Sequence, residues 1–490
     1  MSKQKTCKVC FAVSECFPYV KTGGLGDVAG SLPKALTEEG CEVRVFLPLY
    51  GGIKVIDHGI SRYEEVAGVE INIGGDVHSF GLWHSKLPGS EADVYFVDCP
   101  HYFHRDHPYT NDPDEDERFI FFQIAIMDSL QRMNWAHVVI HCNDWQTALI
   151  PAMLKTSYSW DRMFDNTATL LSIHNIGYQG IFSKESVAKA GLPMEYYAPY
   201  MPFEHNGAFC FMKAGIVYSE IVSAVSPTYA HEIQTSELGA GLEGVLQTRS
   251  NDIYGVLNGI DENIWNPKHD AFIPHKYSAA QLKNKEKNRS ALLSEAELSA
   301  MADSALIGIV SRFAPQKGFE LLPPVINEIM QLPVQLVVLG SGDSQTEDFF
   351  KSLKASYPDR VNVYIGYNNK LSHYITAGSD MFLMPSHYEP CGLNQMYSLK
   401  YGSVPIVRKT GGLADTVKDY HEFDEEGNGF SFNDYTPQAL YSTMARALDI
   451  FRDKKIWKNI QKRGMKEDFS WKHSADLYID LYNKAIEKRA

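Results

Sequence analysis

The sequence of 490 residues lacks the features of several protein classes. It has no apolar run of about 18 residues, the length that a membrane-spanning helix needs. Its start, MSKQKTCK, leads into an apolar stretch too short for a signal peptide and without a small-residue cleavage site. The net charge of −14 argues against nucleic acid and anionic membranes as partners, because both attract basic surfaces. We therefore expect a soluble, cytoplasmic protein.

Cysteine is sparse, and acidic clusters with metal-site spacing are absent. Free thiols in a reducing compartment are the simplest interpretation of eight scattered cysteines. Cys7 and Cys10 form a C-x-x-C, but no second pair follows at zinc-site spacing, and the run CKVCFAV predicts a buried strand. The acidic run DPDEDE at 112–117 is interpreted as a solvated loop. We expect no metal site at either place.

The sequence is rich in short β-prone runs separated by longer segments with helical spacing. Most runs are apolar almost throughout rather than alternating, which is typical of parallel strands covered by helices on both faces. The pattern restarts after about residue 265, so we predict an α/β protein with two doubly wound domains. The junction falls in VLNGIDENIWNP, followed by a predicted helix over 276–305. The predicted strands are 43–48, 94–98, 137–141, 168–174, 221–226, 306–313, 334–340, 361–367, 381–386 and 404–408.

A glycine-rich loop, KTGGLGDV, follows the first predicted strand. Ligands of open parallel sheets bind just beyond the carboxyl ends of the strands. Gly23 and Gly24 would let backbone amides approach a phosphate, and Lys21 adds a mobile positive charge. An ordinary glycine turn is the alternative. A dinucleotide site is disfavoured, because the second strand ends VFLPLYGG without the acidic residue that would hold a ribose.

Other polar residues follow other predicted strands. Asp144 follows the strand at 137–141, and His174 with Asn175 ends the strand at 168–174. Arg312 and Lys317, in SRFAPQKG, stand five residues apart around a proline turn. They could converge on a diphosphate or pair with surface carboxylates.

The segment PSHYEPCGLNQMYSLKYG (385–402) carries Glu389 in a loop before a helix that opens near Leu393. The carboxylate either caps the helix amides or accepts hydrogen bonds from sugar hydroxyls. Cys391 has no base near it in the sequence, so we do not assign it as a nucleophile. KTGGLADTV at 409–417 echoes the first glycine loop; chance similarity of two strand-to-helix turns and two related half-folds both explain it.

Taken together, these segments resemble the bacterial and plant starch/glycogen synthase family nearly end to end. The resemblance implies the GT-B fold, with two Rossmann-like doubly wound domains at 1–262 and 263–467, an inter-domain cleft, and a helix at 468–490 that crosses back to the first domain. It implies a retaining hexosyltransferase that moves glucose from ADP-glucose to the non-reducing end of an α-1,4-glucan such as glycogen, starch or a maltooligosaccharide. The matching segments are KTGGLGDV, HCNDWQTALIP, HNIGYQG, GLEGVLQTRS, YGVLNGIDENIWNP, SRFAPQKG, PSHYEPCGLNQMYSLKYG and GGLADTV.

The resemblance also implies roles for single residues. Cations of both domains would hold the donor diphosphate, polar residues would line the donor glucose, Asn258 would lie at the hinge side of the cleft, and Tyr367 would pack on the nucleotide base. The predicted catalytic residues are Lys21, Asp144, His174, Arg312, Lys317 and Glu389, and the predicted donor-binding residues are Gly23, Gly24, Asp27, Asn175, Asn258, Tyr367, Cys391, Gly392 and Leu393.

One position departs from the wider GT-B pattern. Many relatives carry a second Glu eight residues after the first, where this sequence has Tyr397, which argues against a ribose contact by a second carboxylate. The cations could stabilise a departing diphosphate without a metal, so we expect neither metal nor cofactor and full activity in excess EDTA. Attack by a carboxylate and attack by the acceptor from the leaving-group face both stay open. The alternatives are a UDP-glucose-dependent GT-B enzyme and a non-catalytic glucan-binding scaffold.

Overall fold

A computed structural model describes residues 7–135 and 139–490 of the chain. Their contacts divide the chain into two compact units. Unit 1 runs to Gly259 and takes in Trp471–Ala490, and unit 2 is Ile260–Ser470. Each unit has its own sheet and its own buried core.

Unit 1 is built on a ten-stranded sheet. Its strands are β1 (Lys8–Ala12), β2 (Glu42–Pro48), β3 (Ser61–Tyr63), β4 (Val69–Ile73), β5 (Asp76–Lys86), β6 (Asp93–Asp98), β7 (Val139–Asn143), β8 (Ala168–Ile173), β12 (Ile221–Ala224) and β13 (Ile253–Gly255), while β9 (Ile181–Phe182), β10 (Glu204–His205) and β11 (Ala208–Cys210) form a small antiparallel sheet. The order is β13-β12-β8-β7-β1-β2-β6-β5-β3, with β4 on β5. The strands from β13 to β6 pair in parallel and are mostly buried, because helices cover both faces.

The helices of unit 1 before the junction are α1 (Gly24–Glu38), α2 (Pro100–Phe103), α3 (Glu115–Arg132), α4 (Ile150–Lys155), α5 (Glu185–Lys189), α6 (Phe211–Tyr218), α7 (Pro227–Glu232) and α8 (Glu243–Thr248). The prediction of a solvated loop at 112–117 holds for the exposed Asp112 and Pro113 but is wrong from Glu115 onward, where α3 begins and buries both Glu115 and Asp116. The buried guanidinium of Arg118 pairs with Glu115, and Ser186 donates a 2.6 Å hydrogen bond to Asp116. Carboxylates are favoured in the first turn of a helix, and their partners here offset the cost of burial.

Unit 2 contains a six-stranded, wholly parallel sheet in the order β16-β15-β14-β17-β18-β19. The strands are β14 (Ala305–Phe313), β15 (Val334–Gly342), β16 (Val361–Ile365), β17 (Met381–Met384), β18 (Val404–Arg408) and β19 (Phe430–Phe432), and the helices are α9 (Lys283–Glu295), α10 (Ile326–Ile329), α11 (Ser344–Ser356), α12 (Asn369–Gly378), α13 (Asn394–Lys400), α14 (Gly411–Thr416), α15 (Pro437–Arg452) and α16 (Lys454–Gly464). Counted within the unit, this is the order 3-2-1-4-5-6 of a Rossmann sheet. The prediction of doubly wound α/β domains is confirmed.

The last helix, α17 (Trp471–Arg489), belongs to unit 1 and packs on α1 and β8. Its Tyr482 hydroxyl lies 2.8 Å from Nδ1 of His141, and the Ser474 hydroxyl donates to the Leu257 carbonyl at 2.7 Å. Gly259 fits closely against this helix, since a Cβ there would lie 2.8 Å from the Trp471 nitrogen.

Most predicted strands match observed ones to within one or two residues, although positions 137 and 138 lie outside the described residues. The helix prediction over 276–305 is wrong at both ends, because α9 covers only Lys283–Glu295. Glu297 and Asp303 adopt positive φ, which a continuing helix cannot contain. Within 7–135 and 139–490, no helix is both long enough and apolar enough to cross a membrane.

Candidate functional site

The predicted site residues of unit 1 follow adjacent strands of its sheet. Connections from β1 lead to β2 on one side, while β7 and β8 lie on the other, so a topological switch point falls between β1 and β7. Lys21 and Gly23 follow β1, Asp144 follows β7, and His174 follows β8. Ligands of doubly wound sheets bind at this kind of position.

A buried carboxylate that sequence analysis missed holds the glycine loop. Glu15 is 3% exposed and accepts hydrogen bonds from the backbone N–H groups of Thr22 and Gly23, the latter at 2.9 Å. The Tyr109 hydroxyl donates to its other oxygen at 2.6 Å, and burial beside Glu15 raises the pKa of Tyr109. Glu15 therefore fixes the loop that carries Lys21. The available signal was a lone acidic residue directly after the buried run CFAVS.

The two glycine pairs of the echoed motif have different roles. A Cβ at Gly23 or Gly24 would meet nothing within 4 Å, whereas a Cβ at Gly411 or Gly412 would lie 1.9 Å from a backbone carbonyl of the Glu389–Cys391 loop. The second pair is therefore required by packing inside unit 2. Packing within the described chain does not require glycine at Gly23 or Gly24, and the negative φ of Gly23 does not require it either. Glycine at these positions therefore fits a loop that is kept small for a ligand.

Gly24→Ala tests this interpretation. Gly24 is the first residue of α1, where alanine is the better helix former, so the free energy of unfolding should stay constant or rise by about 0.5–1 kcal/mol. The added methyl would obstruct a phosphate that approaches the glycine loop. KM for the sugar-nucleotide donor that the sequence predicts should therefore rise at least about tenfold. Steady-state kinetics and urea unfolding measure both. Gly52→Ala, at another exposed and unobstructed glycine, is the control, and an unchanged donor KM in Gly24→Ala would contradict the interpretation.

Asp144 is held in a strained conformation and contacts the His174 segment. Its φ of 57° is uncommon for a residue with a side chain, and such strain concentrates at functional sites. Its carboxylate accepts a 2.7 Å hydrogen bond from the His174 backbone N–H. Ring Nε2 of His174 lies 2.9 Å from Oδ1 of Asn143, whose amide nitrogen donates to the Ala12 carbonyl. That amide orientation assigns the proton of the ring to Nε2 and leaves Nδ1 as an acceptor.

Burial changes the protonation of both groups. It raises the pKa of Asp144 to about 7, although the His174 and Asn175 amides oppose the rise. It lowers the pKa of His174 to about 3. His174 is therefore neutral at physiological pH and acts through hydrogen bonds, not through positive charge.

These shifts predict a pH dependence of stability. Between pH 4.5 and 6.5 the folded chain binds more protons at Asp144 than the unfolded chain does, so the contribution of Asp144 to stability falls as pH rises. The His174 contribution has the opposite sign. In Asp144→Asn the free energy of unfolding, relative to the parent protein, should therefore rise by about 1 kcal/mol per pH unit. In His174→Gln it should fall, and urea unfolding at three pH values that gave parallel curves for all three proteins would refute both shifts.

The remaining predicted residues of unit 1 are Asp27, which lies in the first turn of α1 and pairs with Lys21 at 2.7 Å, and two asparagines. Asn175 is half-buried and its side-chain oxygen accepts from the Gly177 N–H at 2.9 Å, which shapes the turn after β8. Asn258 is 6% exposed, and its side-chain oxygen has no hydrogen-bond partner within 7–135 and 139–490. A buried acceptor without a partner costs free energy, which a ligand donor would recover.

In unit 2 the predicted residues lie at the switch point between β14 and β17. Lys317 follows β14, Glu389 follows β17, and their side chains form a 2.6 Å ion pair. The two loops are joined by backbone contact, since the His387 N–H donates to the Gln316 carbonyl at 2.8 Å. Gly318 is required between them, because its φ is +71° and a Cβ would lie 2.0 Å from the Pro385 carbonyl.

The carboxylate of Glu389 is 5% exposed and also accepts from the Ser386 hydroxyl at 3.1 Å. Arg312, near the end of β14, is exposed, and no ion pair to it is found in the described part of the chain. Unit 2 thus places the paired cation Lys317, the exposed cation Arg312 and the buried carboxylate of Glu389 at the carboxyl ends of the neighbouring strands β14 and β17. This combination can bind a diphosphate and a polyol.

The other predicted residues of unit 2 flank this edge. Cys391 is buried, Gly392 has a φ of +72°, and Leu393 is the residue before α13. Tyr367 lies beyond the end of β16 and is 87% exposed, so one face of its ring is available for stacking. Tyr397 is different: its ring is buried and stacks on Trp265 at 3.9 Å, so it serves the core of unit 2.

Cavity shape does not single out these residues. A cavity of about 550 Å³ in unit 1 is lined in part by Asp128 and Trp160, and one of about 340 Å³ in unit 2 by Lys285 and Arg289. Neither contains a predicted site residue. Among the residues with described positions, no group of three or more His, Cys, Asp and Glu side chains is arranged to hold a metal ion. The assignment therefore depends on the geometry of the side chains.

Comparison with known proteins gives consistent matches over both units. The family model of the starch synthase catalytic domain matches residues 8–248, and that of glycosyl transferases group 1 matches residues 294–464. A glycogen synthase of Syntrophotalea carbinolica is 42% identical over 483 residues, covering 98% of this chain and 99% of the relative. One of Thermotoga petrophila is 43% identical over 487 residues, with the same coverage.

Solved structures agree in fold. The catalytic domain of starch synthase IV from Arabidopsis thaliana, bound to ADP and acarbose, superposes with a TM-score of 0.89 at 33% identity and covers 98% of this chain and 99% of that chain. A sucrose-phosphate synthase from Thermosynechococcus elongatus, at 18% identity and a TM-score of 0.58, shares the fold. The predicted GT-B fold class with two Rossmann-like domains is confirmed.

Proposed function

The chain belongs to the glycogen and starch synthase family of glucosyltransferases, and we propose that it transfers glucose from ADP-glucose to the non-reducing end of an α-1,4-glucan with retention of configuration. The observation that carries the proposal is the pair Lys317–Glu389, with Arg312 beside it, at the switch point of the unit 2 sheet. A glucose-diphosphate donor needs cations for its phosphates and a carboxylate for its sugar hydroxyls.

The cations stabilise the departing diphosphate. Breaking the bond between glucose and phosphate places negative charge on the leaving oxygen and positive character on the sugar ring. Lys21, Arg312 and Lys317 supply positive charge, and the open amides near Gly24 add hydrogen-bond donors. Lys317 is held by Glu389 and the glycine loop by Glu15, so each costs little reorganisation when the charge develops.

The acidic and neutral polar groups bind the sugar. Glu389 accepts hydrogen bonds from glucose hydroxyls while Lys317 and Ser386 hold its orientation. Neutral His174 offers its Nδ1 lone pair to a sugar hydroxyl, and Asp144 fixes the backbone of His174. These contacts place the anomeric carbon for transfer without any change of charge on His174.

ADP-glucose is proposed over UDP-glucose because the Arabidopsis structure, 33% identical, was solved with ADP. The exposed ring of Tyr367 is the proposed stacking surface for the base. The buried side-chain oxygen of Asn258 has no hydrogen-bond partner among the described residues. We propose that it accepts a hydrogen bond from the sugar-nucleotide.

The test is transfer of labelled glucose to glycogen and to a maltooligosaccharide, with ADP-glucose and UDP-glucose compared in parallel. We expect transfer from ADP-glucose at a kcat/KM at least about tenfold higher, unchanged in excess EDTA. A preference for UDP-glucose would leave the enzyme class intact and overturn the donor. Folded protein that binds glycogen and transfers from neither donor would favour the glucan-binding scaffold.

A further inference from the structure

Two cysteines face each other where β1 and β2 begin. The strands are parallel and in register from Lys8 opposite Glu42 onward, and Cys7 and Cys41 stand one position earlier on each strand. The Glu42 N–H donates to the Cys7 carbonyl at 2.8 Å, so the ladder continues to this pair. Neighbouring strands lie about 4.8 Å apart, within the Cα separation of about 4.4–6.8 Å that disulfides span. The backbone is therefore already spaced for a disulfide.

The thiols of this pair contact each other and differ in reactivity. A hydrogen bond between them lowers the pKa of Cys7 and raises that of Cys41. Cys7 is half-buried, whereas Cys41 is 7% exposed. Since the thiolate is the nucleophile in disulfide exchange, Cys7 is the attacking thiol and Cys41 the resolving one.

Other cysteines lack this arrangement. Cys10, the partner of Cys7 in the C-x-x-C, is fully buried, and burial raises its pKa. Burial also raises the pKa of Cys16 to about 12 and that of Cys210 to about 11. Buried thiols with raised pKa values react slowly, so oxidation should begin at Cys7. Cys41 lies beside it and can resolve the mixed disulfide, because the hydrogen bond to Cys7, the largest cause of the raised pKa of Cys41, is lost once Cys7 has reacted.

From this geometry we propose that Cys7 and Cys41 are a reversible oxidation site that forms an intramolecular disulfide. The oxidant is a low-molecular-weight disulfide. The Cys7 thiolate attacks one of its sulfurs, expels the first thiolate and forms a mixed disulfide. Cys41 loses its proton to solvent and attacks the Cys7 sulfur, which expels the second thiolate. In sum, two protein thiols are oxidised by two electrons and one small disulfide is reduced to two thiols.

The disulfide would close a loop that contains the glycine loop and all of α1. Cross-linking a loop of this length restricts the unfolded chain, so the midpoint of thermal unfolding should rise by roughly 3–7 °C. The cysteines lie at the amino ends of β1 and β2, and Lys21 follows the carboxyl end of β1. We therefore expect glucose transfer by the oxidised protein to stay within about twofold of that by the reduced protein.

The experiment titrates the reduced, full-length protein with oxidised glutathione, blocks remaining thiols and maps linked peptides by mass spectrometry. We expect a Cys7–Cys41 link, the higher thermal midpoint, and reversal of both by dithiothreitol. Cys41→Ser should leave only a glutathione adduct on Cys7 with no thermal shift, and Cys10→Ser should behave as the parent protein. A stable adduct on Cys7 without a link, or no reaction at Cys7 in the folded protein, would overturn the proposal.

Discussion

Glu389→Ala is expected to lower kcat for glucose transfer by about 10³-fold or more, the largest effect of any single change in unit 2. Glu389 is 5% exposed and is the only charged partner within the described residues that contacts Lys317 closely. Removing it takes away the proposed sugar contact and leaves a half-buried ammonium without its partner. Loss of one partner of such a pair also costs about 3–5 kcal/mol of stability in buried sites, so folding must be measured alongside activity.

Glu389→Gln separates charge from shape. Glutamine keeps the size of the side chain and can still accept from Ser386, so the variant should fold with a smaller loss of stability. We expect its kcat to fall by about 10²-fold, because a neutral amide is a weaker partner for sugar hydroxyls and for Lys317. Asp380→Asn, which disturbs the ion pair with Arg289 near the amino end of β17, is the matched control and should retain transfer. A folded Glu389→Ala protein with kcat within tenfold of the parent would remove Glu389 from the site.

Sequence patterning predicted the strands well because a parallel sheet buries each strand on both faces. Runs such as 334–340 and 404–408 are almost entirely apolar for that reason. The ends of helices were less predictable. Glu297 stops the helix after Glu295 through a left-handed conformation, which glutamate does not signal reliably.

The place of the predicted site residues in the fold was predictable because strand ends are predictable, but the residues that hold them in position were not. Lys317 and Glu389 are 72 residues apart, and only the adjacency of β14 and β17 brings them together. Glu15 contacts Tyr109 across 94 residues, so no local motif contains both. The glycine echo shows the same limit: the identical sequence KTGGL at 21–25 and 409–413 forms an open loop in one unit and a packed turn in the other. Tertiary neighbours, absent from any short motif, decide between these outcomes.

Lys21→Ala is expected to lower kcat/KM for the donor by about 10²–10³-fold with almost no loss of stability. Its side chain is 45% exposed and its only ion pair within the described residues is the 2.7 Å contact with Asp27. Exposed pairs of this kind contribute about 0–1 kcal/mol to folding. A large kinetic loss would therefore report on a contact made with the substrate and not on the fold.

Lys86 provides a matched control in the same unit. Its side chain is 51% exposed and pairs with Asp93 at 2.9 Å, nearly the same environment as that of Lys21. Lys86→Ala should lose as little stability as Lys21→Ala and retain full transfer, because β5 lies toward the antiparallel edge of the sheet. Lys21→Arg keeps the charge and should recover part of the loss, since a guanidinium can also bind phosphate from this position. If Lys21→Ala and Lys86→Ala had the same kcat/KM, the glycine loop would not contact the donor phosphates, and the cations of unit 2 would have to stabilise the leaving group alone.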